Sequence, residues 1–563
     1  MIDRDMSATS IPFPANRPPA APSPGAATLP IDLSHSPLLG IIGVVLGAGI
    51  VTVTGRLLTL GLADLKGNVG IGFDDGAWIS SSFNVALMFI GPFSVYIGGL
   101  LGPRRVLLSC AAVFTGVCAL LPLVQNYGLL IGLLAVAGLT SGTFYPLTLT
   151  FALRNIPLRY LALVVALYAT CIEASVNFAP SIYGFCRNNL SWQWMFWLPA
   201  LVTPVMMACI LFGIPPAPKP QTKKQPPSFA GFLYLSAGFA LLFAALDQGQ
   251  RLDWWRSGTF TALFASGMFL LLCALVRRLR SPNFLVDLPY LRQWNTILLG
   301  VALFTFRFAL LATIIIIPQS LSVRGLDASQ LGPAVLWTAV FELVLAFVGA
   351  LLLSKGFDSR LLLAVGFTAV AFACLLNANF TSAWAPENYY QSELLLAVGQ
   401  SLSMVGLVSS IILQALFSGG LEAPQRALTF SAFFHTVRLL GGQAGVSLMG
   451  HFIAEREKLH SNLLGLHVQS GSWVTDGTLH GLATGLSAKS SGLLAASGRA
   501  AEIIDSKLRL QAYSLTFIDA FHLVAWACVG MLLLTATLRK APMNFAQLPL
   551  LQQRPTSTHG NMS

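Results

Sequence analysis

Runs of about twenty apolar residues, the length that crosses the hydrocarbon of a bilayer as a helix, recur along this chain. They constrain it more than any other feature. The first, "LLGIIGVVLGAGIVTVTGRLLTL" (38–60), carries one charge, Arg56, near its far end. Backbone polar groups in lipid must bond within their own segment, so such runs fold as helices. Breaks at Gly, Pro and charged residues predict further spans near 78–98, 106–124, 128–152, 160–183, 193–214, 229–247, 257–276, 296–318, 331–353, 361–377, 393–418, 428–452 and 515–537. Only 10% of the residues are charged, against roughly 25% in soluble proteins. The chain reads as an all-α polytopic membrane protein with fourteen spans.

The net charge of +11 is topological rather than a nucleic-acid footprint. One set of short loops holds fourteen Lys and Arg, among them Arg104, Arg105, Lys223, Lys224, Arg277 and Arg278. The other holds five: Lys66, Arg187, Arg251, Arg256 and Arg324. Basic loops stay cytoplasmic, so both termini are expected on the cytoplasmic side and no nucleic-acid partner is expected. The lipid bilayer is the partner that composition demands.

Residues 1–36, rich in Pro, Ala and Ser, read as a disordered cytoplasmic tail. A first group of helices occupies 37–214. The basic Pro-rich segment "PPAPKPQTKKQPP" lies in a stiff linker, 215–228. Two further helices fill 229–276, a second group fills 277–538, and 539–563 is a cytoplasmic tail. Residues 453–514 form a long extracytoplasmic insertion whose latter part has helical apolar spacing. It can be a passive connection or a docking surface.

The eight cysteines are scattered without a CxxC pair and read as small hydrophobes rather than metal ligands. No Walker lysine loop, HExxH or nucleophile elbow occurs. No enzyme, cofactor, metal or ATP drive is expected, leaving an ion gradient as the energy source.

Charges inside spans are costly, about 2.5–3.5 kcal/mol each on insertion scales. "YATCIEASVNFAPSIYG" (168–184) holds Glu173, with Asn177, Pro180 and Gly184 on the same helical face. A carboxyl there can exchange the proton of a coupled step or touch substrate; a structural hydrogen bond between helices is the other reading. Glu342 in "AVFELVLAF" is the matching acid of the second half. Arg307 in "LFTFRFALL" lies at similar depth on the preceding helix, making the two candidates to pair. Arg438 follows His435 by one turn, with Gly441, Gly442 and Gly445 beyond; Gly441 and Gly445 form a GxxxG that permits close helix packing. Arg56 is placed to snorkel outward. Asp247 and Asp253 read as turn caps, and Asp519 with His522 as a possible relay. These ionisable groups are expected to line an aqueous pocket at mid-bilayer.

Four stretches carry a resemblance. "SWQWMFWLPALVTP" (191–204) resembles the start of span six in the major facilitator superfamily, and "FAPSIYGF" the antiporter "GPxxGG" signature of span five. "LDQGQRLDWW" (246–255) and "FFHTVRLLGGQAGVSLMG" (433–450) are similar to elements after span seven and in span thirteen of its fourteen-helix drug:proton antiporters, of the EmrB/QacA type. The resemblance covers about 40–540. It implies a major facilitator fold of two six-helix bundles plus two additional central helices, rocking around a midplane cavity. It also implies proton-coupled efflux of small amphipathic compounds across the bacterial inner membrane, with small-molecule substrate and protons as ligands. A periplasmic membrane-fusion adaptor and an outer-membrane channel are the implied partners. Gly102, Arg104, Arg105, Pro180, Gly184, Gly441, Gly442 and Gly445 match its conformational elements. The chain departs from the pattern at Gly47 and Leu134, which replace a span-one acid and a span-four arginine, and at Gly99 and Leu100, which replace an Asp-Arg pair. Those departures keep two other readings open: an uncoupled or differently coupled organic-anion exporter, and a non-transporting scaffold or sensor.

Overall fold

The computed structural model describes residues 37–155, 160–213, 229–280, 286–417, 424–469, 471–487, 492–541 and 543–547. The segments read as N-tail and linker (1–36, 215–228), and the C-terminal tail from 548 onward, lie outside the described residues. Every regular element among the described residues is helical.

Thirteen helices are long and apolar enough to cross a membrane: α1 (Leu38–Leu60), α2 (Phe73–Leu101), α3 (Pro103–Leu123), α4 (Tyr127–Leu149), α5 (Leu161–Asn189), α6 (Trp194–Gly213), α7 (Phe229–Gly249), α8 (Gly258–Arg280), α9 (Trp294–Ser322), α10 (Leu336–Ser354), α11 (Ser359–Asn377), α12 (Pro386–Phe417) and α14 (Leu494–Thr535). The fourteenth, α13 (Pro424–Gly465), is more polar because it carries His435, Arg438 and Gln443. It is nonetheless packed into the bundle against α7, α9 and α14.

α1 packs on α4, α5 and α6, and α2 and α3 pack on α4. In the second half α12 packs on α10 and α11, and α14 on α11 and α13. The halves meet along α5, which lies against α10 and α12, and again where α13 crosses the break in α2 at Gly91–Phe93. α7 sits between α2 and α13, whereas α8 leans mainly on α7 and its apolar window is 17% buried.

Proline chemistry shapes the interface. Pro318 lacks an N–H and cannot bond the Ile314 carbonyl four residues back. α9 therefore widens into a π-turn at Ala312–Ile316, a form common at functional sites. The Ile314 carbonyl accepts instead from Arg56 Nη2 of α1, at 2.8 Å. The sequence placed Arg56 at a lipid–water boundary; the structure bridges it to the opposite half, because a carbonyl freed by proline needs a donor.

α13 and α14 are 42 and 43 residues long, roughly 63 Å at about 1.5 Å per residue, twice a hydrocarbon core of about 30 Å. They project together as a stalk joined through a helix at Trp473–Ser487, which seats Leu479, Leu482 and Leu486 on Ala483, Ala496 and Ala500. Much of the insertion at 453–514 is thus a helical hairpin. At its base Asp519 receives Arg456 at 3.0 Å and His460 at 2.8 Å, both from α13. The His522 ring bonds the Ile518 carbonyl of its own helix, so no Asp519–His522 relay forms.

Candidate functional site

The face of α5 bearing Glu173, Asn177, Pro180 and Gly184 turns toward the second half. Asn177 Nδ2 donates to both carboxylate oxygens of Glu342 on α10, at 3.1 Å each, and to Gln400 Oε1 on α12 at 3.0 Å. Gln400 Nε2 in turn donates to Thr313 Oγ1, in the π-turn of α9, at 3.2 Å. Two amides thereby tie four helices, and the acceptors on Glu342 fix which end of the Asn177 amide faces them. Glu342, Gln400 and Glu173 are each 0% exposed.

Glu173 has no hydrogen bond at either carboxylate oxygen among the described residues. The cations acting on it through space are Arg307 of α9 and Arg438 of α13. Gly442 makes room for Arg307: a β-carbon there would lie 3.0 Å from its Nε. Gly441 and Gly445 of the GxxxG meet Phe304 and Phe308 of the same helix. Arg438 lays its guanidinium 3.9 Å from the centroid of the Tyr145 ring on α4, a cation–π seat, with Nε and Nη1 lacking acceptors. The Tyr145 hydroxyl bonds Thr52 of α1, and the Tyr145 carbonyl accepts from Tyr168 at 3.3 Å. His435 stands 6.3 Å from the Tyr145 ring. Two acids and two arginines thus meet across the boundary between halves.

Two expectations change. Arg307 does not pair with Glu342; Glu342 is taken by Asn177, and the acid acting on Arg307 is Glu173. The charges also do not line an open pocket. Glu173, Asn177, Glu342, His435 and Arg438 are all buried, because the helices close around them. A cavity of about 270 Å³ lies elsewhere, behind α13, lined by residues of α2, α7, α8 and α13 and of the segment 286–291 that precedes α9.

One end of α5 is shut. Gly184 packs so tightly on the 328–330 turn that a β-carbon would fall 2.3 Å from the Ser329 carbonyl oxygen. Arg187 bonds Asp327 of that turn and lies 3.6 Å from Asp64 after α1, while Tyr183 donates to Asp64 at 2.5 Å. Partial burial pushes the Asp327 carboxyl up. Hydrogen bonds from Ser329 and the Ala328 amide, with the Arg187 charge, outweigh it and leave the group below its ordinary range. The folded value being depressed, Asp327 favours closure fully above the unfolded value and progressively less as pH falls through the folded one. Arg187→Ala should therefore raise labelling of a cysteine at Ser181 by a thiol reagent at neutral pH. Acidifying the parent protein below the aspartate range should mimic that rise once each rate is divided by that of a free thiol with the same reagent at the same pH, because the reacting thiolate is scarcer there. Unchanged labelling in both cases contradicts this closure.

Gly102, Arg104 and Arg105 sit at the other end of the helices. Gly102 ends α2 at φ +90°, which favours glycine, and Arg104 caps α6 through the Leu211 carbonyl at 2.9 Å. Arg105 is exposed. Pro180 lies inside α5.

Gln400, Thr313 and Tyr145 were not singled out from sequence. Gln400 stands in the apolar run "LLLAVGQSLSMVG", the same signal that marks Asn177. Tyr145 offers none, because a tyrosine near a span's end is ordinarily an interfacial anchor. Asp247 is no simple cap: it bonds Ser81 of α2, and Arg251 reaches Asp74 at 2.8 Å, so "LDQGQRLDWW" fastens α7 to α2.

Comparison with known proteins follows the same lines. The profile of the Major Facilitator Superfamily matches residues 42–446, stopping short of the stalk and α14. The multidrug export protein EmrB of Haemophilus influenzae is 23% identical over 432 residues, covering 75% of this chain and 82% of that protein. The fatty acid resistance protein FarB of Neisseria gonorrhoeae is 23% identical over 425 residues, 75% and 81% of the two chains. The probable multidrug resistance protein EmrY of Escherichia coli K12 is 24% identical over 405 residues, 71% and 77%. Among solved structures, the proton:xylose symporter XylE superposes with a TM-score of 0.54 at 11% identity, covering 91% of this chain and 98% of that one. Tetrameric PepTSo2 gives 0.51 at 14% identity, covering 92% and 99%. At such identities these two speak for the fold alone.

Proposed function

This chain belongs to the major facilitator superfamily, and from that premise we propose that it exports small amphipathic compounds against inward proton flow, with Glu173 carrying the proton. It is a membrane transporter and not an enzyme. The observation that carries the reading is a buried carboxyl of α5, without a hydrogen bond, facing Arg307 and Arg438 of the opposite half. When ionised, Glu173 attracts both arginines and draws α5 toward α9 and α13. Protonation cancels that attraction and lets the halves part. Substrate and proton then alternate in biasing one equilibrium. Glu342 stays tied to Asn177 and keeps α10 in register with α5.

The substrate class rests on the relatives, named for multidrug export and fatty acid resistance. The loop charges support cytoplasmic termini in a bacterial inner membrane, with the stalk on the periplasmic side. There it would be one contact for a membrane-fusion adaptor serving an outer-membrane channel. Proteoliposomes loaded with an amphipathic dye test the coupling: its transport should rise with an imposed pH gradient and fall when a protonophore collapses it. Equal rates with and without the gradient contradict it.

A second reading has its own observation, the Nε and Nη1 of Arg438 left without acceptors. An organic anion could occupy them, and Glu173 would then compete with cargo rather than carry a proton. Gradient-independent transport of anionic but not cationic dyes is the outcome that favours it.

A further inference from the structure

α13 has two working faces. One presents His435, Arg438 and Gly442 to the charge cluster. The other, with Ala432, Phe433 and Thr436, walls the cavity of about 270 Å³ behind it. The opposite wall is the α7–α8 hairpin, through Leu235, Leu271 and Leu275. Ligand sites are mostly apolar, with a few placed polar groups, and begin near 300 Å³; this cavity is of that kind and near that size. Its base is pinned where the Asp287 amide donates to Thr429 at 2.7 Å.

The mouth identifies the occupant. Leu275 of α8 both lines the cavity and is 46% exposed, and with Leu272, Val276 and Leu279, 45–78% exposed, it gives that side an apolar outer surface suited to lipid. Arg278 lines the cavity, and the segment 277–292 carries four arginines (Arg277, Arg278, Arg280, Arg292) against one acid, Asp287. Basic pockets between membrane helices recognise anionic lipid headgroups. We propose that this cavity holds one acyl chain of an anionic phospholipid from the surrounding bilayer, its headgroup lying against the Arg278 cluster. The site is independent of the transport cycle proposed above. Because its wall is the back of the helix bearing Arg438, the chain supports α13 from the lipid side.

The test uses full-length protein in nanodiscs containing a trace of phosphatidylglycerol with a photoreactive diazirine at mid-acyl chain, followed by irradiation and peptide mapping. Adducts should concentrate on peptides covering 271–291 and 429–437. Ala432→Phe, which fills the cavity, should lower them roughly tenfold, as loss of a single binding site at fixed lipid does. Labelling at lipid-facing Phe269, 64% exposed, should not change. Leu271→Trp fills the cavity from the other wall and should act alike, covering the case in which the first variant does not fold. Phosphatidylcholine with the same diazirine chain should label the site several-fold less, and Arg278→Gln should erase that difference. Adducts spread evenly over α8, or undiminished in both filled variants, overturn the proposal. Equal labelling by the two lipids overturns the anionic assignment.

Discussion

Glu173→Gln should abolish gradient-driven transport while leaving a folded protein that still exchanges substrate down its own gradient. Glutamine keeps the shape and the polarity of a protonated glutamate but cannot release a proton. The attraction to Arg307 and Arg438 is thereby removed permanently, and a pH gradient has nothing to act on. The expected fall in proteoliposome transport under an inward proton gradient is roughly tenfold or more, the scale of couplings between about 1 and 3 kcal/mol. Counterflow, which needs no gradient, should remain within about twofold of the parent on that same scale. Full gradient-driven transport by the variant removes Glu173 from the coupling role.

Arg438→Leu should have the largest effect on stability. It removes one of the two cations facing Glu173 and empties the seat on the Tyr145 ring. Removing one partner of a buried charge group costs up to about 3–5 kcal/mol, and here Arg307 remains to face Glu173, so the loss falls mainly on the emptied seat over Tyr145. The variant should show a lower melting temperature in detergent and no transport. Adding Glu173→Gln takes away the acid acting on Arg307 and leaves that buried cation unpaired, so the double variant should melt no higher than Arg438→Leu and still fail to transport. Melting shifts that simply add would mean that the two side chains are uncoupled.

The fold was largely legible in the sequence because lipid makes each span a long apolar run. The predicted span at 38–60 agrees with α1 to the residue, as no competing polar pattern blurs its ends. The spans at 428–452 and 515–537 fall on α13 and α14, which run well beyond them toward the stalk. Hydropathy marks only the part of a helix that lies in lipid, whereas α13 and α14 continue with Glu455, Lys458, Lys507 and Arg509 exposed. In the candidate site, the cost of charge inside apolar runs made Glu173, Glu342, Arg307 and Arg438 stand out, and the structure buries Glu173, Glu342 and Arg438. Their partners did not stand out. Which charges meet depends on helix rotation and on breaks such as the π-turn before Pro318, and a linear pattern does not encode either. Asn177 illustrates this. One-dimensional spacing puts it on the face of Glu173, but only the packing of α5 against α10 and α12 joins it to Glu342 and Gln400.

The same geometry accounts for the replaced family positions. Gly47 and Leu134 stand where the resemblance expects an acid and an arginine, and Gly47 is packed on Thr148 and Met206 with no room for a larger side chain. The buried acids Glu173 and Glu342 stand instead on α5 and α10, which pack together between the halves. On this account the coupling group moved from the inside of one half to the seam between the two.

Proton release on binding tests that account most directly. Purified protein in a weakly buffered detergent solution receives a compound that it transports, and a pH dye follows the solution. The account predicts a prompt acidification with the parent protein and none with Glu173→Gln at matched occupancy. Equal proton release by both proteins would contradict it.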